Sequence, residues 1–195
     1  VVERVIPETG LGTQPFYARI RNLLEKQLAD GGWDLANRAA DPDMTGMAIQ
    51  ALAPYYKTND AVKAAVDKAL TCLSNKQIAN GGFGSIDGIC TESCAQVVVA
   101  LTALGIDPET APRFVKNGIS VLDAMCLFAV ENGGFAHIPG DSVNGMATEQ
   151  GQYALVSYFR FKEGKTALFD MSDALLRSNN TGAGKVENIT DTKEN

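Results

Sequence analysis

Gln27-Leu28-Ala29-Asp30-Gly31-Gly32-Trp33, then Asp41-Pro42-Asp43-Met44-Thr45 and an apolar run to Leu52, is the stretch on which the reading of this chain turns. It recurs as Gln77-Ile78-Ala79-Asn80-Gly81-Gly82-Phe83, followed by Thr91-Glu92-Ser93-Cys94 and a run to Leu101. A third copy reads Ala129-Val130-Glu131-Asn132-Gly133-Gly134-Phe135, then Ala147-Thr148-Glu149 and a run through Leu155. The copies lie about 50 residues apart. Self-similarity at a fixed period marks stacked units, none of which buries its apolar face alone.

Each copy is flanked by helical spacing of apolar residues. Phe16, Ile20, Leu23, Leu24 and Leu28 predict a helix from about Pro15 to Ala29, stopped by Gly31-Gly32. Asp41 is a good N-cap for a helix from about Met44 to Lys57, with Met47, Ala48, Ala51, Leu52 and Tyr55 as its buried stripe and Pro54 kinking or ending it. Asn59-Asp60 opens a helix to Gln77 that is apolar along Val62, Ala65, Val66, Ala69, Leu70 and Leu73 and charged opposite.

The run Val97-Val98-Val99-Ala100-Leu101 is apolar on all sides. It also suits a strand, but the matching first copy is rich in Met and Ala, so the prediction is a helix buried all round and ended by Gly105. Val121 to Glu131 reads as an amphipathic helix. Met146 to Phe161 reads as a third buried one, with Tyr153, Leu155, Val156, Tyr158 and Phe159 leaving little polar face. Ala167 to Arg177 reads as a last helix. The expected organisation is a lead-in at 1–13, an all-α repeat domain at 14–178 and a flexible tail at 179–195. Amphipathic and buried helices then form an outer and an inner layer, with the glycine turns and inner-helix N-termini at one end.

The chain is long enough to bury a sizeable core, and its apolar fraction is ordinary. A net charge of −6 with no block of Lys or Arg gives no nucleic-acid footprint. No apolar run is long enough to span a bilayer. Val1-Val2-Glu3-Arg4 lacks the pattern of a signal peptide, which leaves a cytosolic protein or a mature piece of a secreted one. Cys72 and Cys126 fall in apolar helical stretches and read as small buried thiols. Cys90 and Cys94 stand four apart at a helix start, where a local disulfide is open.

Gln27-x3-Gly31-Gly32-Trp33 resembles the repeat of squalene and terpenoid cyclases, Gln, a short spacer, Gly-x-Trp. The second copy keeps Gln77, Gly81 and Phe83; the third keeps Gly133 and Phe135, with Ala129 for the Gln. The superfamily also contains protein prenyltransferase β-subunits, complement thioester domains and cobalamin carriers. Asp41-Pro42-Asp43-Met44-Thr45 with Ala51-Leu52-Ala53-Pro54-Tyr55-Tyr56 is most similar to prenyltransferase and squalene-oxidase repeat domains of bacterial cell-surface proteins. The resemblance implies an α/α toroid. The chain supplies about three and a half of the roughly six helical hairpins of a full ring. It also implies a secreted or cell-surface location, and a partner that is a small molecule, a glycan, a protein, another half-toroid domain or a second copy.

The same resemblance frames the chemistry. Asp41-Pro42-Asp43-Met44-Thr45-Gly46 stands where a cyclase carries its acid motif, with Asp43 in the place of the protonating Asp but Met44 in that of the last Asp; capping is the simpler role of Asp41 and Asp43. Glu92-Ser93-Cys94 stands where prenyltransferases hold zinc with Asp-x-Cys. The matching His position falls near Gln150, and the sole histidine, His137, sits on the preceding loop. Nothing matches the thioester motif. Neither the cyclase acid motif nor the zinc triad is complete, so the reading is a non-catalytic binding or scaffold module that calls for no cofactor. An isoprenoid enzyme and a cobalamin-carrier-like domain are the alternatives. Candidate ligand-binding residues are Trp33, Asp43, Phe83, Glu92, Phe135, His137, Glu149 and Tyr153, although the three aromatics also suit structural plugs on neighbouring helix ends.

Overall fold

The computed structural model describes residues 14–36, 38–85, 88–131 and 133–174. The lead-in at 1–13 and the tail at 179–195 lie outside them. The described chain is mostly helical: α1 (Gln14–Glu25), α2 (Pro42–Leu52), α3 (Asp60–Lys76), α4 (Thr91–Ala103), α5 (Val121–Cys126) and α6 (Gly145–Lys162). Two antiparallel hairpins of two-residue strands interrupt it, β1 (Gly84–Ser85) with β2 (Gly88–Ile89) and β3 (Val115–Lys116) with β4 (Ile119–Ser120). The sequence reading did not foresee them.

Local chemistry sets the helix starts. Asp41 Oδ1 accepts from the backbone N–H groups of Asp43 and Met44, and Pro42 fills a first-turn position that needs no N–H. Asn59 caps α3 through the Val62 N–H, Asn144 caps α6 through the Ala147 N–H, and Ser120 and Asp123 form a capping box on α5. α2 ends at Leu52 in a 3-10 turn, Ala53–Tyr55, because Pro54 has no N–H to continue the ladder. α1 stops at Glu25, short of the expected Ala29.

The three copies prove to be one turn built three times. The N–H of Leu28, Ile78 and Val130 donates to the carbonyl of Gly32, Gly82 and Gly134, while the N–H of Gly31, Gly81 and Gly133 donates back to the carbonyls of Leu28, Ile78 and Val130. Gly31, Gly81 and Gly133 have φ of 97°, 79° and 93°, a region that L side chains avoid. The signature glutamine has a physical role here. Gln27 Nε2 donates to the carbonyls of Gly31 and Ala65, both at 2.7 Å, and Gln77 Nε2 to those of Gly81 and Phe114, both at 2.8 Å. Ala129 has no such donor, and in its place the third copy closes with a β-bridge between Ala129 and Phe135.

The helices that follow these turns, α2, α4 and α6, pack side by side with α4 in the middle. They run parallel. Gln96 meets Gln150 near the starts of α4 and α6, and Thr102 meets Ser157 towards their ends. Gly46, near the start of α2, lies against the Gln96 backbone, where an added Cβ would stand 2.9 Å from its carbonyl oxygen. The N-termini of all three helices therefore share one end of the row, and the turns that feed them share it too. α1, α3 and α5 form a second layer against this row.

Burial follows position in the row. Val97, Val98, Val99, Ala100 and Leu101 of α4 are all at most 1 % exposed, as the apolar run predicts. Each such Val or Leu contributes about 1.5–3 kcal/mol on leaving water. α3 buries the predicted stripe from Val62 to Leu73. At the ends of the row the expectation fails. Only Ala147, Gly151, Ala154 and Ser157 of α6 are buried, and Val156 and Phe159 are exposed, because no element among the described residues covers the flank away from α4. Met47 and Ala51 of α2 are exposed for the same reason and line a groove of about 420 Å³ with Leu23, Trp33, Leu35 and Met44.

Three further expectations are corrected. Residues 167–174 form turns rather than a helix. Gly164 ends α6 at φ 66°, and Asp173 ties this segment to Arg160 and Thr166. α5 ends at Cys126 instead of Glu131, and Cys126 is exposed rather than a buried thiol. All four cysteines are free, so Cys90 and Cys94 form no disulfide.

Candidate functional site

The shared end of the row is lined by the first turns of α2, α4 and α6. Each preceding turn is stapled to its helix in the same way. The N–H of Asp41, Cys90 and Asn144 donates to the carbonyl of Trp33, Phe83 and Phe135. Four residues on, Thr45 Oγ1 and Thr148 Oγ1 accept from the N–H of Trp33 and Phe135 at 3.0 and 2.9 Å. Cys94 Sγ does the same for Phe83 at 3.3 Å.

That staple decides where several candidates lie. Cys94 is fully buried, and burial pushes its thiol up to about 12. Its sulfur faces the Phe83 backbone and is absent from the ligand-bearing cluster described below. Phe83 has no exposed surface, Phe135 rests on Gly151, and Trp33 donates its indole N–H to the Leu23 carbonyl. The three rings are thus placed as core plugs, with only Trp33 reaching the edge of a groove.

Glu92 and His137 do come together. Thr91 donates its N–H to the His137 carbonyl and its hydroxyl to the Ala136 carbonyl, which lays the third copy's loop over the start of α4. His137 Nδ1 then stands 2.8 Å from Glu92 Oε2, with the ring side chain 41 % exposed and the carboxylate 8 % exposed. Cys90 joins them: its sulfur, the Glu92 carboxylate and a His137 nitrogen lie within 4.8 Å of one another. Cys90 Sγ also touches Ser93 Oγ at 3.1 Å, and burial raises its thiol above the ordinary value. The sequence offers Cys90 only as a candidate disulfide partner of Cys94 and does not place it beside Glu92 and His137. A signal was present, since Cys90 occupies the N-cap position filled by Asp41 and Asn144 but makes no side-chain cap bond.

Asp43 faces the same cluster from α2. Burial holds its carboxyl above the usual range and the charges of Asp41 and Glu92 add to this, while a Ser93 hydrogen bond and His137 oppose it. Asp43 Oδ1 is buried without a hydrogen-bond partner. Asp41 is occupied as a cap.

Deeper in the row runs an amide ladder. Gln50 Nε2 donates to Gln96 Oε1 at 2.8 Å, and Gln96 Nε2 donates to Gln150 Oε1 at 2.9 Å and to the Tyr153 hydroxyl. Burial drives the Tyr153 phenol up to about 12, so it stays neutral. Glu149 is exposed on α6 and its charge is felt at Tyr153. The site as built offers acceptors, neutral donors and one ligand-bearing trio, with no hydroxyl or thiol activated as a nucleophile among the residues described here. Among the described residues no helix is long and apolar enough to cross a membrane. Comparison with protein-family models, curated proteins and solved structures gives no match.

Proposed function

We propose that the chain is a partial α/α toroid serving as a non-catalytic binding or scaffold module of a secreted or cell-surface bacterial protein, with its ligand held at the rim. The observation that carries this reading is the convergence of Asp43, Glu92 and His137, one from each copy, onto one end of the row, beside the Gln96–Tyr153 ladder. The Tyr153 hydroxyl and the carboxyl groups of Asp43 and Glu92, held on packed helices, suit a hydroxyl-rich ligand such as a glycan. The arrangement supplies orientation without a reacting group.

The test is equilibrium binding to a panel of glycans, with parallel incubation with isoprenoid diphosphates and squalene. The reading expects saturable glycan binding that Glu92→Gln weakens, and no turnover. Steady isoprenoid turnover by the purified chain would overturn it.

One observation favours the enzyme alternative: the raised carboxyl of Asp43 is the property a protonating acid needs. Turnover abolished by Asp43→Asn would select it. A cobalamin-carrier-like role draws no support from any particular residue here; a spectroscopic titration with cobalamin tests it.

A further inference from the structure

Among the described residues, Cys90, Glu92 and His137 form the one group whose donor atoms match a metal's preferences. A thiol sulfur, a carboxylate oxygen and an imidazole nitrogen come from an N-cap, a first helical turn and a loop 45 residues further on. Around a tetrahedral ion with metal–ligand bonds of about 2.0–2.3 Å, the ligand atoms stand within about 4 Å of one another. The observed spread of at most 4.8 Å closes to that with a side-chain shift, and the half-exposed His137 ring is free to make it.

A second observation points the same way. Asp43 Oδ1 is buried without a partner, and Asp41 and Glu92 add negative charge around the carboxyl, opposed by His137 and a Ser93 hydrogen bond. A buried carboxylate oxygen left unsatisfied among like charges is costly unless it takes up a proton or a cation sits beside it. We infer that the rim binds one zinc-class divalent cation through Cys90, Glu92 and His137, with Asp43 supplying negative field beside it.

The set differs from the Glu92–Cys94 pair that the sequence suggested, since Cys94 faces the Phe83 backbone. Sulfur, nitrogen and oxygen together select Zn²⁺ or Co²⁺ over Ca²⁺ and Mg²⁺, which favour all-oxygen sites. Binding forms a sulfur–metal bond and releases the Cys90 thiol proton to solvent, so uptake weakens as pH falls. The ion replaces the His137–Glu92 hydrogen bond and pins the third copy's loop to α4. The inference deepens the binding reading at the same rim and rests on it for where the copies converge.

The test is titration of the full chain with Zn²⁺ by calorimetry and with Co²⁺ by absorption, with thermal unfolding as a further readout. One ion per chain, a thiolate-to-cobalt charge-transfer band and a raised Tm with zinc are expected. Cys90→Ser abolishes the band. His137→Ala, at a half-exposed position where folding is not at stake, weakens zinc binding on the order of tenfold or more. Cys126→Ser, at an exposed cysteine, keeps both. No saturable uptake, or uptake unchanged in Cys90→Ser and His137→Ala, overturns the inference. Failed zinc uptake alongside intact glycan binding removes the ion alone and leaves the binding module standing.

Discussion

Thr45 holds both backbone polar groups of Trp33: its hydroxyl oxygen accepts from the Trp33 N–H at 3.0 Å and its O–H donates to the Trp33 carbonyl at 3.3 Å. Thr148 repeats this on Phe135 at 2.9 and 3.3 Å. Replacing either hydroxyl by a methyl of the same shape leaves a largely buried N–H without its partner, while the carbonyl keeps the Asp41 or Asn144 N–H. Thr45→Val and Thr148→Val should each cost about 1–3 kcal/mol, read from urea unfolding. A cost near zero for both would deny the staple its role.

Gln77 is the more deeply buried of the two turn glutamines and bridges Gly81 to Phe114. Gln77→Ala deprives two carbonyls of their donor and opens a void. A loss of about 2–3 kcal/mol is expected by denaturant unfolding. The β3–β4 hairpin beside Phe114 should lose amide-exchange protection first.

Gly151 exists to seat the Phe135 ring. A Cβ there would stand 2.6 Å from Phe135 Cδ2, too close for any rotamer of the ring to ignore. Gly151→Ala gains helix propensity of up to about 1 kcal/mol, yet overpacking costs about 1–3 kcal/mol. The expected outcome is a lower Tm. A higher Tm would mean that the ring is not packed there.

Asp43 gives stability a pH dependence of definite sign. Its folded carboxyl is raised by burial, so between the ordinary aspartate range and the raised value the native state holds more proton than the unfolded chain. The contribution is fully present below the unfolded value and is lost as pH rises through the folded one. Asp41, Glu92 and His137 are the charged or titratable neighbours that tune it. The difference between wild-type and Asp43→Asn unfolding free energies, measured across acid to neutral pH in metal-free buffer, should therefore shift against the wild type as pH rises. A flat difference would contradict the burial of that carboxyl.

Much of the architecture could be read from the residues because each repeat carries its own local instructions. Asp41 and Asn59 are caps by chemistry, Gly31 and Gly81 are needed at positive φ, and the all-apolar run in α4 belongs between two neighbours. The failures fall where the row ends. Met47, Ala51, Val156 and Phe159 carry the apolar periodicity of α4 but have no second neighbour among the described residues, and no pattern within a helix tells it that it is terminal. The turn at 167–174 was misread because a long-range tie, Asp173 to Arg160, outweighed helical spacing. At the site, Glu92 and Asp43 are legible as polar residues near helix starts, and His137 as a residue of the loop before the third one. The part of Cys90 is not, because only the folded third loop brings His137 across to it.

The third copy's loop lies across the start of α4, and through it separate repeats share one rim. His137 is the chain's single histidine, so its ring protons are identifiable without ambiguity in an NMR spectrum. Nuclear Overhauser cross-peaks from that ring to the side chains of Glu92 and Cys90 are predicted, with ring shifts that move in Glu92→Gln. A ring with random-coil shifts, no cross-peaks to α4 and no response to Glu92→Gln would contradict the account.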